Sequence, residues 1–292
     1  MYEFVSRLRW RVRATRLSAL FLVSMLLALP DAEAEPARVL SLGGAITEIV
    51  YALEAGTSIV ATDLSSTWPA AARALPKVGY FRTLTIEPLL ALSPDLVLAS
   101  EHAGPADVLD RIAAAGVRVV RVPDAPSTSG ITAKIETIAA ALNRVEAGKV
   151  LAARVDSSLA DARRQLPMPA SSPGVVFLLS AGPQGLMAAG KDTAADALIG
   201  LLGARNLFAD HPGYAPVSAE ALAGHPPKFV LVSARSLTAL GGPDAVLALP
   251  GLATSGLGAQ HVIAVDDLAV LGFGPRLPAG LVEIASRMDS AR

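Results

Sequence analysis

The sequence predicts an α/β protein of two similar lobes, each with a mostly parallel sheet flanked by helices, joined by one long rigid helix. Three observations carry this. Short apolar runs alternate with helical stretches from Arg38 onward, a helix–proline–strand phrase recurs 133 residues after its first appearance, and an uninterrupted amphipathic segment lies between the two halves.

The first 34 residues come before the fold. Arg7, Arg9, Arg11, Arg13 and Arg16 precede an apolar run from Leu17 to Leu29, and Ala32-Glu33-Ala34 follows as a small-x-small cleavage site. This is the pattern of a secretory signal, and the 13-residue run is short of the ~20 residues that span a bilayer. The mature chain is expected to begin near Glu35. The chain has no cysteine, hence no lipid-modified Cys and no disulfide framework, and an exported protein of this kind is expected to diffuse freely in the periplasm. Its stability then rests on an ordinary core, which about 258 residues and 52% hydrophobic content supply. Removing the leader's five Arg and Glu3, Asp31 and Glu33 leaves 20 basic and 23 acidic residues, a net charge near −3. That excludes the clustered basic excess of a nucleic-acid-binding surface.

The N-terminal lobe is expected over 35–142. Val39 to Gly44 reads as a buried strand running into a Gly-Gly loop, Ile46 to Leu53 as a helix, and 58–62 as a second strand. IEPLLALSPDLVLAS (86–100) places an acidic helix ahead of Pro94 and a buried strand over 96–99. Val145 to Leu166, within a connector expected over 143–167, carries Leu151, Val155, Leu159 and Leu166 on one stripe and stops before Pro167 and Pro169. A helix of that length is roughly 33 Å long at ~1.5 Å per residue, enough to brace two lobes. A single rigid connector argues against wide hinge closure and for a largely preformed cleft.

The C-terminal lobe, 168–292, repeats the pattern. Val175 to Ser180 matches the opening strand and is expected to lead through a small-residue loop into a helix, and SAEALAGHPPKFVLVSA (218–234) matches 86–100. Glu87 lies seven residues before Pro94 and thirteen before Ser100; Glu220 lies seven before Pro227 and thirteen before Ser233. An internal repeat of this kind implies two equivalent lobes.

Several enzyme classes lack their motifs. The mature chain has no G-x-S-x-G elbow and no H-E-x-x-H, and Gly43-Gly44-Ala45 lacks dinucleotide-loop spacing. The four histidines, His102, His211, His225 and His261, are too scattered for a clustered zinc or manganese site. No enzymatic activity is expected, a periplasmic α/β enzyme with an unrecognised site being the alternative outside the binding class.

With leader, repeat and connector in place, the chain resembles the periplasmic binding proteins, those with a long bridging helix, that serve siderophore, cobalamin and heme importers. The resemblance covers 36–290 and is strongest to the heme-binding HmuT/ShuT/PhuT type, through RVLSLGGAITEIVYAL (38–53), LPKVGYFRTL (75–84), LMAAGKDTAADALIGLLG (186–203) and LGFGPRLP (271–278). It implies that heme is the transported ligand, that an ABC permease with its ATPase is the partner, and that the protein reaches the membrane only through that permease. Cobalamin or a ferric siderophore is the alternative cargo. Siderophore sites usually present several Arg and Trp, however, and only Trp68 survives removal of the leader.

The resemblance points to Tyr80 as the heme-iron ligand. Ferric iron favours an anionic phenolate, and tyrosine is a known axial heme ligand. A free phenol has a pKa near ~10, so binding at neutral pH needs the metal and a neighbouring cation. Arg82 supplies that cation if the segment is extended, since alternate side chains then share a side. Arg276, in GFGPR, is a candidate partner for a heme propionate, with a plain surface arginine the competing reading. Met187, in the opening loop of the second lobe, is expected to pack on the porphyrin or approach the iron from the far side. No histidine lies within 186–203, which favours tyrosine-only ligation, with His211 or Tyr214 as the second-lobe contributors to examine. Glu87 and Glu220 match positions that dock on permease arginines, one per lobe, and both also suit the first turn of a helix.

Overall fold

In the computed structural model, which describes residues 38–166, 172–180 and 185–291, the first sheet is wholly parallel. Its strands β1 (Val39–Leu42), β2 (Ile59–Thr62), β3 (Leu96–Ser100) and β4 (Arg118–Val122) lie in the order β2-β1-β3-β4, with Val39 opposite Leu96. Every residue of β1 and β3 is buried, because helices cover both faces of a parallel sheet; this is why both read as continuous apolar runs. The helices are α1 (Gly44–Ala52), α2 (Ala70–Arg73), α3 (Ile86–Leu90), α4 (Ala106–Ala114) and α5 (Thr128–Ala141).

The expected connector is helix α6 (Val145–Gln165), which buries Gly148, Leu151, Ala152, Val155, Leu159 and Ala162 on one stripe. Gly148 sits where α6 meets α5: a Cβ there would strike that of Ala139, so glycine permits the close approach. The leader (1–34), Pro167, Pro169 and residues 181–184 lie outside the described residues. Among the described residues, no helix is long and apolar enough to cross a membrane.

The second sheet is mixed. Strands β5 (Gly174–Ser180), β6 (Leu186–Ala189), β7 (Arg205–Asn206), β8 (Tyr214–Pro216), β9 (Phe229–Ser233) and β10 (Val262–Val265) give the order β10-β9-β5-β6-β8, with β7 on β5. Strands β5, β7, β9 and β10 pair parallel, whereas β6 and β8 are antiparallel. The helices are α7 (Ala194–Leu201), α8 (Ala219–Gly224), α9 (Ala234–Leu240), α10 (Pro243–Leu247), α11 (Asp267–Leu271) and α12 (Leu277–Ser290). The second lobe thus departs from the expected strand–loop–helix opening: β5 is followed by strand β6 before α7 begins. Met187, expected in a loop, stands on β6.

The repeated phrases fold alike. Helix α3 and strand β3 correspond to α8 and β9, both strands are fully buried, and Leu89 and Leu222 anchor the two helices. The lobes differ at the cap, where the Ser218 side chain accepts the Ala221 N–H while Thr85 accepts nothing. One apolar cluster runs from β1, α1 and α5 through Leu151, Val155 and Leu159 of α6 into Leu281 and Ile284 of α12 and Phe177 of β5. At ~1.5–3 kcal/mol for each large apolar side chain removed from water, this shared core dominates the cohesion between the lobes.

Candidate ligand-binding cleft

Parallel strands carry their ligands at their carboxyl ends, and here those ends are the turns after Leu42, Thr62, Ser100 and Val122 in the first lobe and after Ser233 and Val265 in the second. The two edges approach each other: a Cβ on Gly44 would meet the Leu268 side chain of α11. Among the described residues, the large apolar or aromatic side chains left most exposed are Leu64, Trp68, Tyr80, Tyr214, Val145 and Val150. The first four border this edge, and the last two lie on α6.

The first-lobe wall is built on a buried carboxylate. Asp63 accepts the Gly43 N–H (3.0 Å) and Ser66 hydroxyl (2.8 Å) on one oxygen and the Ser65 N–H (2.9 Å) on the other. The chain continues through Thr47 to Ser41, each link 2.7 Å, and Ser65 Oγ accepts the Gly44 N–H. Lys77 Nζ ties the same loop down by donating to Thr62 Oγ1 and to the carbonyls of Ser66 and Ala72; burial pushes its pKa down, with Asp63 opposing. The Leu64 N–H donates to Gly79 O and the Val78 N–H to Thr62 O, which fixes the segment leading to Tyr80.

Gly79, at φ 101°, turns the chain, and the Thr83 N–H closes a turn on Tyr80 O (2.9 Å). Phe81 enters the core while Tyr80 remains 42% exposed, its ring edge-on to Phe81 at 4.9 Å. Among the described residues the Tyr80 hydroxyl has no hydrogen-bond partner. The extended segment expected here is therefore a turn. Arg82 follows it round, and its guanidinium lies over the Phe81 ring at 5.0 Å instead of on the Tyr80 oxygen.

On the second lobe the antiparallel β6–β8 pair sets Met187 opposite Pro216 and Ala189 opposite Tyr214, so Met187 and Tyr214 share one face. Tyr214 is 39% exposed, and desolvation pushes the phenol above its ordinary pKa. The Ala195 backbone, the Thr193 hydroxyl and the Arg82 charge pull the other way, while Asp267 adds to the rise. Arg82 thus acts electrostatically on the tyrosine of the opposite lobe.

Arg276 is more committed than its sequence suggests. Its N–H and Nε donate to the two oxygens of buried Glu48 (2.9 and 3.0 Å), Nη1 donates to Asp266 (3.0 Å), and the guanidinium stacks on Trp68 at 4.7 Å. Of the Arg276 nitrogens, only Nη2 is buried with no hydrogen-bond partner among the described residues. The competing reading of a plain surface arginine does not fit these bonds. Burial raises the Glu48 pKa, opposed by the charge and hydrogen bonds of Arg276.

The histidines separate by position. His225 and His261 precede β9 and β10, at the edge away from the cleft, and bond local backbone. His211 is exposed and lines a cavity of about 60 Å³ beside Gly190 and Phe208. His102 is exposed in the turn after β3, whose Gly104 N–H donates to Phe81 O, so it neighbours the Tyr80 turn. Sequence reasoning passed over His102 and Leu64; their signal is position, directly after a buried parallel strand. Among the described residues no cluster of three His, Cys, Asp or Glu is arranged for a metal ion. Glu87 and Glu220 are exposed in the first turns of α3 and α8, and Ser218 and the backbone hold the Glu220 carboxyl below its ordinary pKa.

Known proteins share this fold. Among solved structures, the periplasmic heme-binding protein RhuT from Roseiflexus sp. RS-1 superposes with a TM-score of 0.84 at 38% identity, covering 89% of this chain and all of that one. BhuT in complex with two hemes gives 0.81 at 40% identity (87% and 98% covered), and a periplasmic heme-binding protein from Pseudomonas aeruginosa gives 0.78 at 33% (88% and 94%). By sequence, a vitamin B12-binding protein of Yersinia pestis is 31% identical over 219 residues, 75% of this chain and 76% of that protein. An uncharacterized ABC transporter substrate-binding lipoprotein of Bacillus subtilis is 28% identical over 258 residues (86% and 79%). The family profile described as "periplasmic binding protein" matches residues 39–267, from the first strand of one lobe to the last strand of the other, and the chain belongs to that family.

Proposed function

We propose that this protein captures ferric heme in the inter-lobe cleft through Tyr80 and delivers it to an ABC permease. The observation that carries the reading is the Tyr80 turn: a phenol left outward and unpartnered on a backbone that Phe81 and the Asp63 network hold still. An exposed hard anionic oxygen is what ferric iron requires, and Leu64, Trp68 and Tyr214 supply the apolar surroundings a flat tetrapyrrole needs. Solved structures that superpose on this chain include periplasmic heme-binding proteins, which supports the reading.

Cobalamin is the second reading, favoured by the sequence relatives named for vitamin B12. We further propose that residues 1–34 are removed on export to the periplasm, that Glu87 and Glu220 dock the two lobes on permease arginines, and that the protein binds its cargo without transforming it. Met187 and Arg276 are proposed as second-lobe contacts to the macrocycle and a propionate.

The test is a visible-absorption titration of the exported protein, wild type and Tyr80→Phe, with hemin and with cyanocobalamin. Saturable one-site hemin binding with a phenolate charge-transfer band, lost in Tyr80→Phe, is the expected result. Binding of cyanocobalamin alone overturns the heme assignment. Hemin binding unchanged in Tyr80→Phe moves the ligand to another residue.

A further inference from the structure

The Gly272–Arg276 loop belongs to the second lobe by sequence, yet two first-lobe side chains hold it. Lys134, on α5, is only 1% exposed. Its ammonium has three donors, and all are used: Asp124 Oδ1 at 2.6 Å, Gly272 O at 2.8 Å and Phe273 O at 3.3 Å. Phe273 has φ 44°, a left-handed conformation rare for phenylalanine, and two successive carbonyls reach the same ammonium. Three residues on, Glu48 of α1 receives both the N–H and the Nε of Arg276, and Gly274 between them lies against the same carboxylate.

Both attachments lead to the cleft. Asp124, the counter-ion of Lys134, follows β4 at the carboxyl edge and stays 28% exposed, with its second oxygen on Ser100 Oγ at the end of β3. Ser100 Oγ also accepts the His102 N–H. On the other side the loop continues directly from α11, whose first residue Asp267 acts on Tyr214. A path of hydrogen bonds thus runs from the turn after β3, which neighbours Tyr80, through Asp124 and Lys134 to the carbonyls of the second-lobe loop.

We infer that Lys134 and Glu48 are positioning residues that lock the Gly272–Arg276 loop to the first lobe and so set the width of the cleft before any ligand arrives. Neither touches the ligand. They act by fixing the relative orientation of the lobes, so that binding is not preceded by hinge closure. The inference rests on the cleft being the ligand site, but the lock itself exists in the free protein and is measurable there.

The absence of natural cysteine allows spin labels at Glu87→Cys and Glu220→Cys, exposed sites one per lobe. Double electron–electron resonance is expected to give one narrow distance, the same with and without hemin. Lys134→Met, which keeps the stem and removes the ammonium, is expected to broaden that distribution in the free protein and to speed hemin dissociation about tenfold. Glu48→Gln is expected to do the same more weakly. If Lys134→Met does not fold, Asp124→Asn reports instead, with an expected acceleration of about threefold. A lower Tm with an unchanged distance distribution and dissociation rate, or two distances in the otherwise wild-type protein, overturns the lock. If the wild type binds no hemin, the cargo assignment falls while the distance measurement still decides the lock.

Discussion

The two sides of the cleft each present a tyrosine of nearly equal exposure, 42% for Tyr80 and 39% for Tyr214, on unlike foundations. Tyr80 stands on a turn whose approach is bolted to a fully buried carboxylate, and its hydroxyl is left without a partner. Tyr214 stands on a three-residue strand at the end of a mixed sheet, and desolvation raises the pKa of its phenol. Exposure alone would rank them as equals. The surroundings separate them: the first lobe's tyrosine follows a frame of buried hydrogen bonds, and the second lobe's stands on a short edge strand with a desolvated phenol.

The largest test of that contrast is Asp63→Ala, which strands the Gly43 and Ser65 N–H groups and the Ser66 hydroxyl. At ~1–3 kcal/mol for each buried group left unpaired, a loss of about 3 kcal/mol or more in urea unfolding is expected. Next comes Tyr80→Phe. Even the outer partners of a metal ligand are worth about 10–100-fold, so removal of the proposed ligand oxygen is expected to weaken hemin binding by ~100-fold or more in competition titration. The second-lobe equivalent of the frame is Thr193, which caps α7 by accepting the Asp196 N–H and donates to Gly190 O. Thr193→Val is expected to cost only about 1 kcal/mol, the usual size of a lost cap; a cost equal to that of Asp63→Ala would erase the distinction between the lobes.

The smallest effect concerns Tyr214 itself. Its pKa is raised in the fold, so its contribution to stability is fully present below the unfolded value of ~10 and is lost as pH rises through the folded value. Tyr214→Phe is expected to change hemin affinity by no more than about threefold, as for a side chain packing without coordinating. It is also expected to flatten the fall of Tm between pH 9 and 11 that the wild type shows (about one unit either side of ~10). A hemin affinity that collapses in Tyr214→Phe makes it a second iron ligand.

What the sequence made legible follows from local physics. Strands β1, β3 and β9 are apolar on both faces, and α6 carries an unbroken stripe, so periodicity alone finds them. The antiparallel β6–β8 pair is not legible because strands of four and three residues leave too little alternation to detect. Tyr80 was found as a residue, but the position of Arg82 depends on the positive φ of Gly79 and one backbone bond from Thr83 to Tyr80, which no side-chain pattern encodes. Arg276 and Glu48 are 228 residues apart, and Lys134 sits in an ordinary helical stretch 138 residues before Gly272. Such pairings exist only once the chain is folded.

The apolar cluster that runs from β1 through α6 into α12 and β5 has a consequence for how the molecule comes apart. Two halves that share one interior have no separate melting points. Calorimetry is expected to record a single transition whose van't Hoff and calorimetric enthalpies agree, with neither half surviving alone. A protease that nicks an opened loop of either half would then condemn the entire carrier, so its lifetime outside the cell membrane is set by the weakest point of the whole chain.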